Sequence, residues 1–359
     1  MPTDAIADGR DPRGVRALRL GVGVALCVAI GFGLDLPIPM VAPVLGVFLL
    51  AGMNQPLSAR AGLGLVAAVG LATATGLLLS PLLRYYPLAG VLLIGLCLFL
   101  AFRAGMRGAN GVLTMFLIIG LTIIAAAGTV DFRLAALAVE ALAKGLLAAV
   151  AVLGCCHWLF REPAQAPKPP AAPVLPPDQA ARMALRATLV VMPAFLLALT
   201  DPLGYMPIIL KSVSLGRQTC VTAAHGAARE LLGSTLLGGA LAILFWCALS
   251  LFVSLWMFFL WMLLFGLAAA RKLYRLSPTR HPPSFWLNTL VTLIILLGQS
   301  VQDSAAGKDV YTAFAVRMGL FIGVTLYACL MLRLLESRTR GQPGPDPGHE
   351  ASTAVPSDA

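Results

Sequence analysis

Glu140, Lys144 and Arg317 are ionisable residues set in long apolar runs, and Glu140 and Lys144 stand one helical turn apart on one face. In hydrocarbon a charged side chain costs about 2.5–3.5 kcal/mol on insertion scales, so a chain that keeps one there usually uses it. Lys144 and Arg317 can attract an anion. Glu140 can carry a proton, its affinity raised by desolvation and lowered by the two cations. One acid against two cations leaves a positive surplus for an anionic substrate. The competing reading of the same three residues is a buried salt-bridge cluster that only locks helices together.

A second polar line is Lys211, Ser214, Gln218 and Thr222, spaced three, four and four, which falls on one helix face. It is read either as the side of an aqueous path or as a helix end that comes early, with Lys211 snorkelling to the surface. A weaker line, Asn288, Thr292 and Gln299, suits interhelical hydrogen bonding. Asp35, Asp131, Asp201, Asp303 and Asp309 fall at the ends of spans and are expected to be solvated.

The elements that must position these residues follow from composition. The chain of 359 residues is 59% hydrophobic and only 12% charged, with a mean hydropathy of +0.87, against about 25% charged in soluble domains. Runs of about 20 apolar residues cross a bilayer. Twelve are predicted: 15–34, 37–55, 60–80, 88–104, 111–129 and 133–159, then 183–200, 203–222, 226–247, 249–269, 284–301 and 309–334. The fold class is an all-α polytopic membrane protein, and the span with Pro39 and Pro43 should be bent or broken.

Between the sixth and seventh spans lies a segment, 161–181, with seven prolines in twenty-one residues, expected to be a solvated linker. Arg16-Ala17-Leu18-Arg19 opens the apolar part before it, and Met183-Ala184-Leu185-Arg186 reopens it afterwards. Leu137-Ala138-Val139-Glu140 stands in the first half where Phe314-Ala315-Val316-Arg317 stands in the second. This predicts two parallel six-helix repeats, 14–160 and 182–336, with polar tails at 1–13 and 337–359. If the halves pack about a pseudo-two-fold axis near the sixth and twelfth spans, Glu140 and Arg317 can meet there. Ala141 and Gly145 on one side and Gly319 and Gly323 on the other would let those helices approach closely.

Charge placement orients the chain. With the N-terminus inside, twenty Lys and Arg fall in inner segments, and only Arg84, Arg133 and Lys308 fall in outer ones. The positive-inside rule then puts both termini and the linker in the cytoplasm. The net charge of +10 is thus topological, which argues against nucleic acid as a partner. Seven scattered cysteines read as small hydrophobes. Cys155-Cys156-His157 has no second cluster to complete a metal site. No phosphate-binding loop or catalytic constellation stands out, so neither a cofactor nor enzymatic activity is expected.

Arg16-Ala17-Leu18-Arg19 with Leu36-Pro37-Ile38-Pro39-Met40-Val41-Ala42-Pro43, the run Leu79-Ser80-Pro81 to Pro87, and Arg229-Glu230-Leu231-Leu232-Gly233-Ser234-Thr235-Leu236-Leu237-Gly238 together carry a resemblance. The chain resembles the fusaric acid resistance superfamily of bacterial inner-membrane proteins, over about 15–160 and 182–335. That resemblance implies efflux of aromatic or other organic acids, beside a periplasmic membrane-fusion adaptor. Plant anion channels of the aluminium-activated malate type have a similar six-helix half and work as dimers. Larger superfamily members carry cytoplasmic domains after each half, which here are replaced by a 21-residue linker and a short tail.

The expected function is therefore a proton-coupled exporter of small organic anions. Lys144, Arg317, Lys211, Ser214 and Gln218 would line the path, and Glu140 would couple it to protons. The alternatives are a passive anion channel and a non-transporting scaffold for an adaptor complex; the expected partners are the bilayer, a small organic anion, an adaptor and a second copy of the chain.

Overall fold

The computed structural model describes residues 11–53, 57–161, 176–200, 212 and 224–340. Every regular element among them is helical: α1 (Pro12–Gly33), α2 (Val41–Gly52), α3 (Ala59–Tyr85), α4 (Pro87–Met106), α5 (Gly111–Val130), α6 (Phe132–Leu159), α7 (Pro177–Ala198), α8 (Ala224–Leu251), α9 (Leu255–Leu273), α10 (Pro283–Ala305) and α11 (Val310–Arg340). Ten of these are long and apolar enough to cross a membrane, so the chain is a multi-pass helical membrane protein. The predicted span 203–222 lies outside the described residues.

Local sequence sets the helix ends. Asp11, Ser58, Asn110, Asp131 and Ser254 each accept a backbone N–H of the turn that follows. Ser254 moves the start of α9 to Leu255, six residues beyond the expected 249. Pro177 occupies the first turn of α7, where its missing N–H costs nothing. The last five residues of the expected linker are therefore helical, and α11 likewise runs past the expected boundary at 336 to Arg340.

The span with Pro39 and Pro43 is reduced to a short helix that begins after Pro39 and holds Pro43 in its first turn. α2 has 12 residues, about 18 Å at 1.5 Å per residue, too little to cross the hydrocarbon layer. Its start is buried rather than wet. Met40 lies over Gly298 of α10, where any Cβ would collide with it, and Val41 and Ala42 lie against Gly145 of α6.

α1 packs against α9 and α4 against α7, while α2 touches both α6 and α10. Within the part before the linker α3 packs on α5 and α6; after it α8 packs on α10 and α11. Buried Leu20, Ile94, Leu98, Phe116, Phe195 and Phe245 sit in one continuous apolar core. The outer faces are apolar too, with Leu71, Leu78, Leu88, Leu92 and Leu244 exposed, the pattern of a surface solvated by lipid. Exposed Tyr85, Tyr86, Phe132, Trp256 and Tyr311 stand at helix ends, where amphipathic rings meet the headgroups.

Candidate functional site

Among the described residues, the densest polar construction lies on α10. Its residues Ser284, Asn288, Thr292, Gln299 and Asp303 are spaced four, four, seven and four, so they follow one face along the helix. At one end Ser284 donates a hydrogen bond to the Glu230 carboxylate of α8. One turn on, the Asn288 amide donates to Ser234 Oγ, which itself donates to the Leu231 carbonyl at 3.0 Å. Thr289 is within 3.3 Å of the Ser234 carbonyl, and Thr292 donates to its own helix at Asn288 O, 2.7 Å.

Asn288, Ser234, Thr289 and Thr292 are all buried. A Cβ at Gly238 would lie 2.8 Å from Thr292 Cβ and 2.9 Å from the Thr289 carbonyl, so only glycine lets α8 come this near α10. Ile295 and Leu296 then interrupt the line. Beyond them Gln299 Oε1 is buried without a hydrogen-bond partner.

The line ends at Asp303, which is only 5% exposed. Arg317 of α11 holds it with both terminal nitrogens: Nη1 donates to Oδ2, and Nη2 donates to Oδ1 at 3.0 Å. This fork geometry is the strong form of a carboxylate–guanidinium pair. Four residues join α10 to α11, with Asp309 accepting the N–H of Tyr311 at 3.1 Å to start α11, so Arg317 comes two turns down opposite Asp303.

Arg317 is therefore partnered by Asp303, not by Glu140, and Asp303 is buried rather than solvated. Two facts produce this outcome. Across the linker the main contacts are α1 with α9 and α4 with α7, with a smaller one of α2 on α10, which leaves α6 and α11 without the expected close packing. Gly319 and Gly323 are exposed, and a Cβ at either would meet nothing within 4 Å. On α6, by contrast, Ala141 and Gly145 are buried against α2.

Glu140 and Lys144 form their own ion pair at 2.5 Å, with side chains 49% and 51% exposed. They lie on the outer face of α6. Lys211, Ser214 and Gln218 lie outside the described residues. Cys156 and His157 are buried, with His157 Nδ1 donating to Leu153 O at 2.8 Å, while Cys155 is exposed. Among the described residues no three His, Cys, Asp or Glu side chains are grouped to hold a metal ion.

The residues that the spacing argument passed over are Glu230, Ser234, Ser284 and Asp303. For Asp303 a signal existed: it continues the line Asn288, Thr292, Gln299 by one more turn. For Glu230 the signal was weak, since it follows Arg229 at the start of an apolar run and resembles an ordinary solvated end.

A cavity of about 200 Å³ opens between α2, α5 and α6, lined by Phe48, Leu49, Met115 and Leu146 with Asn110 at its edge. The Asn110 side chain is already engaged in capping α5, through the N–H groups of Val112 and Leu113. That leaves the cavity apolar.

No curated protein matches the chain. Residues 16–156, which hold α1 to most of α6, are similar to a family described as a protein of unknown function (DUF2955).

Proposed function

We propose that the chain is a secondary transporter of small organic anions, such as aromatic carboxylates, driven outward across the bacterial inner membrane by the proton gradient. The observation that carries this is the polar line of α10, which runs inside the helix bundle from the Glu230–Ser284 contact to the Asp303–Arg317 pair. Buried polar and ionisable groups within a membrane domain are expensive, and they concentrate where something must pass. The resemblance to the fusaric acid resistance superfamily points the same way. The charge asymmetry of the loops supports termini that face the cytoplasm.

The coupling role passes from Glu140 to Asp303. With no anion bound, Asp303 fills the guanidinium fork of Arg317. A substrate carboxylate presents the same two oxygens and competes for the same nitrogens. Displaced from the fork, Asp303 is the acid placed to exchange a proton against the anion. Anion binding and proton uptake are thereby linked at one pair.

The proposal includes a duplication. α1 against α9 and α4 against α7 is one contact made twice, first helix of one half to fourth helix of the other. The pairs α3–α5 and α8–α10 also correspond.

The test is accumulation of labelled aromatic and aliphatic acids in cells lacking the gene, complemented with wild type, Asp303→Asn or Arg317→Lys at matched membrane levels. Wild type should lower accumulation only while the proton gradient stands, and both variants should abolish that effect. Efflux indifferent to an uncoupler would make the protein a passive channel. Variants that match wild type would reduce the pair to a structural lock.

A further inference from the structure

The ion pair that the transport reading leaves unused is Glu140–Lys144. It sits eight and twelve residues into the 28-residue α6, near mid-membrane, and both side chains are about half exposed on the outside of the bundle. Facing acyl chains, such a pair is unstable: no water solvates it, and only one of its several hydrogen-bonding positions is used. Something polar must therefore meet this face.

The face around the pair is shaped for close approach. Along it lie Ala136, Ala151 and Gly154, all exposed, and a Cβ at Gly154 would meet nothing within 4 Å. Leu137 and Leu147 flank the charges and are also exposed. Small residues beside a polar pair are what membrane helix interfaces use to bring backbones together.

The charges themselves specify the occupant. A partner with one sign would satisfy one of the two residues and repel the other. A second copy of α6 offers both signs at the same depth, since two chains inserted in the same orientation are related by an axis along the membrane normal. Glu140 and Lys144 are separated by about 6 Å along the helix, within reach of long side chains across two helices in contact. Each Glu140 then lies between its own Lys144 and the neighbour's, in a neutral ring of four charges. This is an isologous contact, self-complementary by construction of the pair.

We propose that the outer face of α6 is a homodimer interface, closed by a four-charge ring of Glu140 and Lys144 from both copies.

The test uses the full chain in membranes and reads stoichiometry, so it stands or falls independently of transport. Single-molecule photobleaching of fluorescently tagged protein should give two steps for wild type. Glu140→Lys and Lys144→Glu each create a like-charge face, and each alone should shift at least tenfold toward monomers. The exchanged double variant, Glu140→Lys with Lys144→Glu, rebuilds the ring and should return to two steps. Co-expression of the two single variants with different colours should give mixed pairs, because a face with two lysines then meets a face with two glutamates.

A second measurement does not depend on the charge variants inserting well. Ala143→Cys, placed in a background where exposed Cys155 and Cys247 are replaced by serine, should cross-link on mild oxidation to a band at twice the 37.6 kDa chain mass. One photobleaching step for wild type, mixed pairs that fail to form, or dimers unaffected by any charge variant would overturn the proposal. In the last case a different surface holds the copies together.

Discussion

The contact of α3 with α5 and the contact of α8 with α10 are held by opposite means. In the first, backbone meets backbone. A Cβ at Gly76 would collide with the Gly120 carbonyl, and Gly120 itself lies against Thr73. At that point α5 widens into a π turn, Gly120–Ile124. The hydroxyls nearby turn inward on their own helices: Thr73 donates to Val69 O at 2.9 Å, and Thr122 to Ile118 O at 2.7 Å. In the second, side chains carry polarity across the gap, from Ser284 to Glu230 and from Asn288 to Ser234. One contact is a dry joint and the other a polar seam. The difference teaches where to look for function, because a dry joint offers nothing for an ion to touch.

The comparison breaks most violently at the dry joint. Gly76→Val should cost about 3 kcal/mol or more, since the new atoms meet main chain that cannot rotate away. Thermal unfolding of the detergent-purified protein would show it as lost folded yield. Gly319→Ala and Gly323→Ala, made at glycines that face open space, should hold or slightly raise stability through helix propensity. If Gly76→Val behaved like those two, the joint would not be close-packed.

At the far end of the polar seam the expected effect is smaller but still large. Asp303→Asn leaves the part-buried Arg317 guanidinium half-paired, at a cost of about 2–4 kcal/mol. Replacing both partners by apolar residues, Asp303→Leu with Arg317→Met, should recover most of that stability while transport stays lost. This separates a structural contribution from a functional one, because a lock would be repaired and a coupling site would not.

Within the seam, Ser234→Ala removes the hydroxyl that accepts from the buried Asn288 amide and should destabilise by about 1–3 kcal/mol. Adding Asn288→Leu removes the amide as well and should return the protein toward wild type. A simple sum of the two single effects would show that the side chains do not interact.

Much of the helix layout could be read from the chain, because a run of twenty apolar residues between charged turns has one physical meaning in a bilayer. The short span at Pro39 and Pro43 was legible as well, for proline is tolerated in the first turn of a helix but not in its interior, and it disfavours helix in the residue before it. What could not be read was which helices meet. Arg317 was one of several cations with no way to choose among Glu140, Asp303 and Asp309, since pairing depends on how far α11 descends beside α10 after a four-residue turn. The small-residue argument gave Ala141 and Gly145 the same meaning as Gly319 and Gly323, although the first two are buried and the second two face outward. Spacing describes a face of a helix; only packing says what that face touches.

The smallest effect concerns the turn that brings Arg317 into place. Asp309 accepts hydrogen bonds from the Thr312 hydroxyl and from the backbone N–H of Tyr311, and these, the Thr312 side chain first, hold its carboxyl below the ordinary aspartate value. The folded state therefore prefers the ionised form. The stability it adds is present above the ordinary carboxylate pKa and fades as pH falls through the lowered folded value. Fraying of the first turn of α11, read by backbone amide exchange of Thr312 and Ala313, should rise on acidification in wild type. In Asp309→Ala it should be high and flat with pH. Asp309→Asn keeps an acceptor without the charge, and should sit between them with no acid dependence. Were the wild-type profile flat too, the start of α11 would not depend on this cap, and the placement of Arg317 would rest on its fork with Asp303 alone.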